Sequence, residues 1–241
     1  MVKKLEKQRI IAYYEKEGKD IKPSGVDRDY RGFFRYVSTH GCRREILEKW
    51  LRAAQPKETF LDVGCELGYF VRQMAKKGLN VTGVDISSTK IRKAKLVAKK
   101  LNLNCRFLTM DAESLDFQDS SFDWVLCSET LEHVLNDHRA LLELIRVAKR
   151  DIIITVPQRS IFWRALHVFT DVYGFNSVGA GHLREYTVQS LLALLPKNVK
   201  IQEMKKAGFL ISFLDRFLPN FSTLKVILCL KLQKKKETSI Q

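Results

Sequence analysis

The chain of 241 residues is short of proline (5), of paired cysteines and of acids, and it has no long apolar run. Its longest apolar stretches, such as "DIIITVP" and "LKVILCLKL", fall far below the roughly 20 residues a membrane span requires. The basic opening "MVKKLEKQRI" lacks the apolar core of a signal peptide, so a cytoplasmic protein is expected. The five cysteines (Cys42, Cys65, Cys105, Cys127, Cys229) are scattered, with no CxxC spacing for a zinc site or disulfide frame. No cluster of His, Asp and Glu is evident in the sequence either, and no metal is expected.

The shortage of acids leaves 42 Lys and Arg against 27 Asp and Glu, a net charge of +15. Such a balance suits anionic surroundings (nucleic acid, headgroups, phosphorylated substrates) and serves solubility equally well, so it does not choose a partner.

What is present is alternation. Residues 1–55 read as two helical pieces, "KLEKQRIIAYYEKEG" and "CRREILEKWLRAA", around a loop with Pro23 and Gly25. From Phe60 short apolar strands alternate with helices: "TFLDVG", "YFVRQMAKKG", "NVTGVDIS", "STKIRKAKLVAKKLNL" with Ser87 or Ser88 as N-cap, "CRFLTMDAE", "FDWVLCSET", a helix near "DHRALLELIRVAKR", and "DIIITVP". That order predicts an α/β fold with a parallel sheet and helices on both faces. After Pro157 an aromatic insertion follows, then a helix at "TVQSLLALL" capped by Thr187, and two strand candidates, "NVKIQEMKK" and "LKVILCLKLQK".

Ligands of open parallel sheets bind beyond the carboxyl ends of the strands, so the residues following each strand matter most. After the first come Asp62, Gly64, Cys65, Glu66 and Gly68, the glycines permitting a tight turn close to a ligand. A dinucleotide fingerprint needs glycine at positions 66 and 69, where this chain has Glu66 and Tyr69, which argues against a nicotinamide dehydrogenase. The second strand ends at Asp85, placed to accept from ribose hydroxyls or to cap the next helix. The third ends in "MDAES", where Asp111 and Glu113 either read an adenine edge together with a backbone N–H or form a solvated acidic loop.

On "LDVGCELG", "VTGVDIS", "TMDAESLDFQDSSFDWVLCSETLEHV" and "GHLREYT" the chain resembles the class I S-adenosylmethionine-dependent methyltransferases. Within them it is most similar to the small-molecule "methyltransferase type 11" branch that includes quinone-biosynthesis C- and O-methyltransferases. The family turn is DxGxGxG; Asp62, Gly64 and Gly68 are in register, and Glu66 replaces the middle glycine. The resemblance implies a Rossmann-like, seven-stranded, mostly parallel sheet with helices on both faces. It further implies an N-terminal helical extension at 1–55, a methyltransferase domain at 56–241 and a helical, aromatic insertion at 158–186 after the fifth strand. S-adenosyl-L-methionine is the implied cofactor, with contacts at Asp62, Gly64, Cys65, Glu66, Gly68, Asp85, Ile86, Asp111, Ala112, Glu113 and Ser128.

The implied reaction is an in-line displacement at the sulfonium methyl, for which the protein supplies proximity and removal of a proton. His133 in "SETLEHV" suits a general base and equally suits helix packing; His182 is the second candidate. Arg184 and Tyr186 in "GHLREYT", with Trp163 of the insertion, are expected to contact the acceptor; an ion pair of Arg184 with Glu185 or Asp171 is the plainer reading. The sequence lacks the Asn/Asp-Pro-Pro-aromatic motif of base amino methyltransferases, and Leu126 stands where cytosine-C5 enzymes carry proline before their cysteine, so Cys127 reads as structural. Phe162, Trp163, Phe169, Tyr173 and Phe175 suggest a flat or lipid-like small-molecule acceptor and peripheral membrane contact, or plain core packing. An RNA-directed methyltransferase and a non-catalytic methyltransferase-like binding module are the alternatives, told apart by salt-dependent RNA binding and by cofactor affinity.

Overall fold

The computed structural model describes residues 2–21, 39–158, 182–207 and 227–235. Its elements are α1 (Val2–Asp20), α2 (Thr39–Leu51), β1 (Thr59–Val63), α3 (Tyr69–Lys76), β2 (Asn80–Asp85), α4 (Ser88–Lys100), β3 (Arg106–Thr109) and β4 (Phe122–Ser128). A 3₁₀ turn (Leu131–His133), α5 (Asp137–Val147), β5 (Ala148–Pro157), α6 (Val188–Ala193), β6 (Val199–Ala207) and β7 (Ile227–Lys234) follow. The seven strands form one sheet in the order β3-β2-β1-β4-β5-β7-β6. β1 to β5 pair in parallel, and β7 runs antiparallel between β5 and β6.

The strands read as unbroken apolar runs because both faces are covered. Along β4 and β5, Val125, Cys127, Ile152 and Ile154 face one core with Leu141, Leu144 and Ile145 of α5. Trp124, Leu126 and Ile153 face the other, with Leu47, Trp50 and Leu51 of α2, Phe70, Val71 and Met74 of α3 and Ile91 and Ala94 of α4. α2 is thus built into the core rather than appended to it.

Helix starts follow side-chain chemistry. The Ser87 hydroxyl accepts from the Lys90 N–H (3.2 Å) and starts α4, the Asn136 side chain accepts from the Arg139 N–H (2.9 Å) and starts α5, and Thr187 forms a capping box with Ser190 at α6. One boundary differs from the sequence reading: α5 stops at Val147, and Ala148, Lys149 and Arg150 already belong to β5. The cause is tertiary, since the Arg150 guanidinium donates to Glu58 (2.9 Å) and Asp151 (2.6 Å) and lies over the Trp124 ring at 5.3 Å.

α1 lies against α4 and is tied to it at both ends. The Glu15 carboxylate accepts from the first N–H groups of α4, Ser88 (2.6 Å) and Thr89 (3.2 Å). In return, Lys93 Nζ donates to the carbonyls of Gly18, Lys19 and Ile21 where α1 ends (2.6, 2.8 and 2.6 Å). No helix among the described residues is long and apolar enough to cross a membrane. Residues 159–181, including Trp163 and the other insertion aromatics, and the apolar stretch 208–221 lie outside the described residues.

Candidate active site

The strand order reverses direction between β1 and β4, and such a switch point leaves a crevice beyond the carboxyl ends of the strands. A cavity of about 590 Å³ fills it, within the range of small-molecule sites. The turn after β1 forms its floor. Gly64 (φ 76°) and Gly68 (φ 74°) are left-handed, and a Cβ on Gly64 would collide with the Thr130 side chain. Glu66 is also left-handed (φ 52°), a conformation that costs a non-glycine residue about 1–2 kcal/mol. Its half-exposed side chain points out of the turn, with Lys90 Nζ 3.8 Å away. The missing glycine therefore changes the rim of the cavity and leaves the turn intact.

Asp85, at the end of β2, accepts from the Glu66 N–H through one oxygen and from the Ser87 N–H through the other (2.9 Å each). It locks the turn while lining the cavity, and Ser87 is the helix cap instead of Asp85. Burial raises its carboxyl above the ordinary range, opposed by Lys90 and by the two N–H groups. After β3, Glu113 accepts from the Leu135 (3.0 Å) and Asn136 (3.3 Å) N–H groups and so joins the loops that follow β3 and β4. Lys7 of α1 bridges Asp111 and Glu113.

Beyond β4, the 3₁₀ turn brings His133 to the cavity, with the ring of His182 4.7 Å away between centroids. Glu132 behind it is fully buried, and neither carboxylate oxygen has a hydrogen-bond partner among the described residues. Burial, then the neighbouring Glu129, hold its carboxyl well above the usual range. Glu132, His133 and His182 place one ligand-capable atom each within 4.8 Å of one another. The expectation that the chain holds no such cluster is therefore corrected, because residues 49 or more positions apart in sequence meet only through the fold.

Of the residues singled out in the sequence, Gly64, Glu66, Asp85, Ile86, Asp111, Ala112, Glu113, Ser128, His133 and His182 line the cavity. Asp62, Cys65 and Gly68 do not; Asp62 and Cys65 are buried under the turn, and Gly68 starts α3. Arg184 and Tyr186 are engaged elsewhere. The Arg184 guanidinium donates to the carbonyls of Leu131 (3.1 Å), Val134 (2.6 Å) and Leu135 (3.0 Å), and the Tyr186 hydroxyl donates to Asp137 (2.9 Å). Both clamp the turn that carries His133.

Sequence reasoning missed the cavity residues supplied by the N-terminal helices: Lys7, Ile10, Tyr14 and Glu17 of α1 and Arg43 of α2. It also missed Lys90, Glu129 and Thr130. Arg43 is buried, its guanidinium 3.6 Å from Glu129. A buried arginine on an otherwise core-facing helix was the available signal. The cavity wall is acid-rich (Glu17, Glu66, Asp85, Asp111, Glu113 and Glu129 against Lys7, Arg43 and Lys90), so the excess of positive charge lies away from it.

Residues 61–155 match the family model described as "Methyltransferase domain". The ubiquinone biosynthesis O-methyltransferase of Bartonella tribocorum is 32% identical over 123 residues, covering 51% of this chain and 47% of that protein. The enzyme of the same name from Rickettsia typhi is 36% identical over 93 residues, 39% of this chain and 37% of that protein. The chain thus matches about half, or less, of the length of these curated relatives. Among solved structures, the magnesium protoporphyrin IX methyltransferase of Synechocystis PCC 6803 with bound SAH superposes with a TM-score of 0.70 at 18% identity, covering 95% of this chain and 100% of that one. That likeness is one of fold.

Proposed function

We propose that this chain, a member of the class I S-adenosylmethionine-dependent methyltransferase family in its quinone-biosynthesis-like branch, moves the sulfonium methyl of S-adenosylmethionine to a hydroxyl oxygen of a small ring-bearing acceptor. The observation that carries the reading is the meeting, in one cavity, of the glycine turn, Asp85, the Asp111–Glu113 loop and His133. The hydroxyl as target rests on the relatives named as O-methyltransferases.

The residues present suit the cofactor. The bare backbone at Gly64 admits close approach, and the lone pairs of Asp85 not taken by Glu66 and Ser87 N–H are left for ribose hydroxyls. Asp111 and Glu113 accept from an adenine amine once Lys7 withdraws, and the Arg43 guanidinium pairs with the carboxylate of the methionyl part. S-adenosylmethionine supplies an activated methyl on a cationic sulfur. The chain holds the acceptor oxygen in line with it and His133 takes the hydroxyl proton, so that the C–O bond forms as the C–S bond breaks to a neutral thioether. Arg184 and Tyr186 fix the His133 turn from behind.

Calorimetric titration with S-adenosylmethionine and S-adenosylhomocysteine tests the cofactor step. We expect micromolar binding by the natural chain and a loss of more than about a hundredfold in Asp85→Ala, where two hydrogen bonds to a charged group are forfeited. Methylation of simple phenols and catechols, compared between the natural chain and His133→Gln, tests the chemistry. Absence of binding to either nucleoside sinks the reading; transfer by His133→Gln at an unchanged rate removes the base but not the enzyme.

A further inference from the structure

α1 supplies four of the residues around the cavity, and one of them has no structural occupation. The Tyr14 hydroxyl is shut off from solvent and has no hydrogen-bond partner among the described residues. Its ring is held from three sides: Tyr13 packs edge-on at 5.1 Å, His133 edge-on at 5.6 Å, and Lys90 Nζ sits 4.9 Å from its centroid. Lys90 is fixed in turn by Glu17 (2.7 Å). The ring is therefore oriented by neighbours on α1, α4 and the 3₁₀ turn, while its polar tip is left with nothing to bind. Buried hydroxyls without partners are uncommon and call for an explanation.

Position supplies one. Glu17, Glu132 and Asp85 all act electrostatically on the phenol, and together with burial they keep it protonated well above its ordinary range. It is therefore a permanent donor. Asp85 closes the end of β2 and Glu132 lies just past the end of β4, so Tyr14 stands between the acid assigned to the ribose and the histidine assigned to the methyl. A nucleoside laid from Asp85 towards His133 passes beneath it.

We propose that Tyr14 is a cofactor-contacting residue, delivered by α1, whose hydroxyl donates to a ribose or carboxylate oxygen of bound S-adenosylmethionine. The proposal rests on the methyltransferase reading above. It adds a residue that no strand-end motif contains, and it gives α1 a part in cofactor binding beyond covering the crevice.

The test is Tyr14→Phe in the full chain, with Tyr13→Phe as the control on the exposed side of the same helix. Removing a buried hydroxyl that has no partner leaves the ligand-free melting temperature unchanged or raises it. Titration with S-adenosylmethionine and S-adenosylhomocysteine should at the same time show affinity weakened about five- to tenfold, the worth of one hydrogen bond. Tyr13→Phe should alter neither. A ligand-free melting temperature lowered by several degrees in Tyr14→Phe means that the hydroxyl serves the fold, and affinity equal to the natural chain for both nucleosides means that it does not touch the cofactor; either overturns the proposal. If the natural chain itself binds neither nucleoside, the methyltransferase reading has failed, and this proposal with it.

Discussion

Asp62 is the first residue of the glycine-turn motif, yet the fold places it under the turn, 4% exposed and away from the cavity. Burial first, and the nearby Asp85 second, push its carboxyl from an ordinary 3.8 up to about 8, against the pull of Arg43. The folded chain thus keeps a proton that the unfolded chain releases. For a group raised in this way, the contribution to stability is full below the unfolded value of about 4 and disappears as pH rises through about 8. Those values lie about four pH units apart, which at about 1.4 kcal/mol each sets a ceiling of about 6 kcal/mol. Water admitted on ionisation reduces that, and we expect about 3 kcal/mol between about pH 5 and about pH 8.5. Asp62→Asn keeps the shape and stays neutral throughout. Urea unfolding of both chains across this window, without ligand, should find the variant close to the natural protein at about pH 5 and progressively more stable than it above about pH 7. Parallel stability curves for the two chains would refute the assignment of a buried, proton-holding Asp62.

Gly64→Ala should cost at least about 3 kcal/mol or prevent folding, because it forces a side chain into a left-handed residue and against Thr130; an urea midpoint within error of the natural chain would contradict that. Glu66→Gly should raise ligand-free stability by about 1 kcal/mol through relief of its left-handed backbone, and lower affinity for S-adenosylmethionine if the carboxylate meets the cofactor ammonium; unchanged affinity removes Glu66 from that role. Joining α1 to α4 by a disulfide between Gly18→Cys and Thr89→Cys, where a Cβ on Gly18 lies 3.3 Å from the Thr89 Cβ, should slow S-adenosylhomocysteine entry when oxidised and restore it on reduction. Equal entry rates in both states mean that α1 does not have to move.

The strand ends were legible in the sequence because each is a local event. A buried apolar run must stop where the chain turns, and the residues that permit the turn, Gly64 and Gly68, or that satisfy its N–H groups, Asp85, follow within a few positions. The seven-stranded sheet was legible for a related reason: alternating elements leave few topologies, and residues such as Ile152, Ile153 and Ile154 can be apolar in succession only with a layer on each face. What stayed hidden depends on contacts distant in sequence. Arg150 ends α5 early because Glu58, 92 positions away, draws its guanidinium into the sheet. Arg184 is polar, sits in a glycine-flanked loop and looks like a ligand residue, but its donors satisfy three carbonyls of a turn about 50 positions upstream.

α1 is the clearest instance of the second kind. "KLEKQRIIAYYEKEG" has the composition of a solvated helix, and nothing in its periodicity marks Lys7, Tyr14 or Glu17 as facing anything but water. Their meaning arises only when the α1 end receives Lys93 and the α4 start receives Glu15, two reciprocal caps that join segments more than 70 residues apart. Once those caps fix α1 beside α4, the charged face of the helix lies over an acid-rich cavity, and Lys7 meets Asp111 and Glu113 there. A cofactor that uses those same two carboxylates must displace Lys7, so cofactor binding and the seating of α1 are coupled: Lys7→Met should strengthen S-adenosylhomocysteine binding, because the carboxylates no longer have to exchange a bound ammonium for an adenine amine. Partly buried charge-assisted pairs of this kind are worth about 1–3 kcal/mol, so the gain should reach about fivefold or more by calorimetry. Weaker binding in Lys7→Met would mean instead that the ammonium holds the nucleoside directly, and that α1 closes on the cofactor without competing with it.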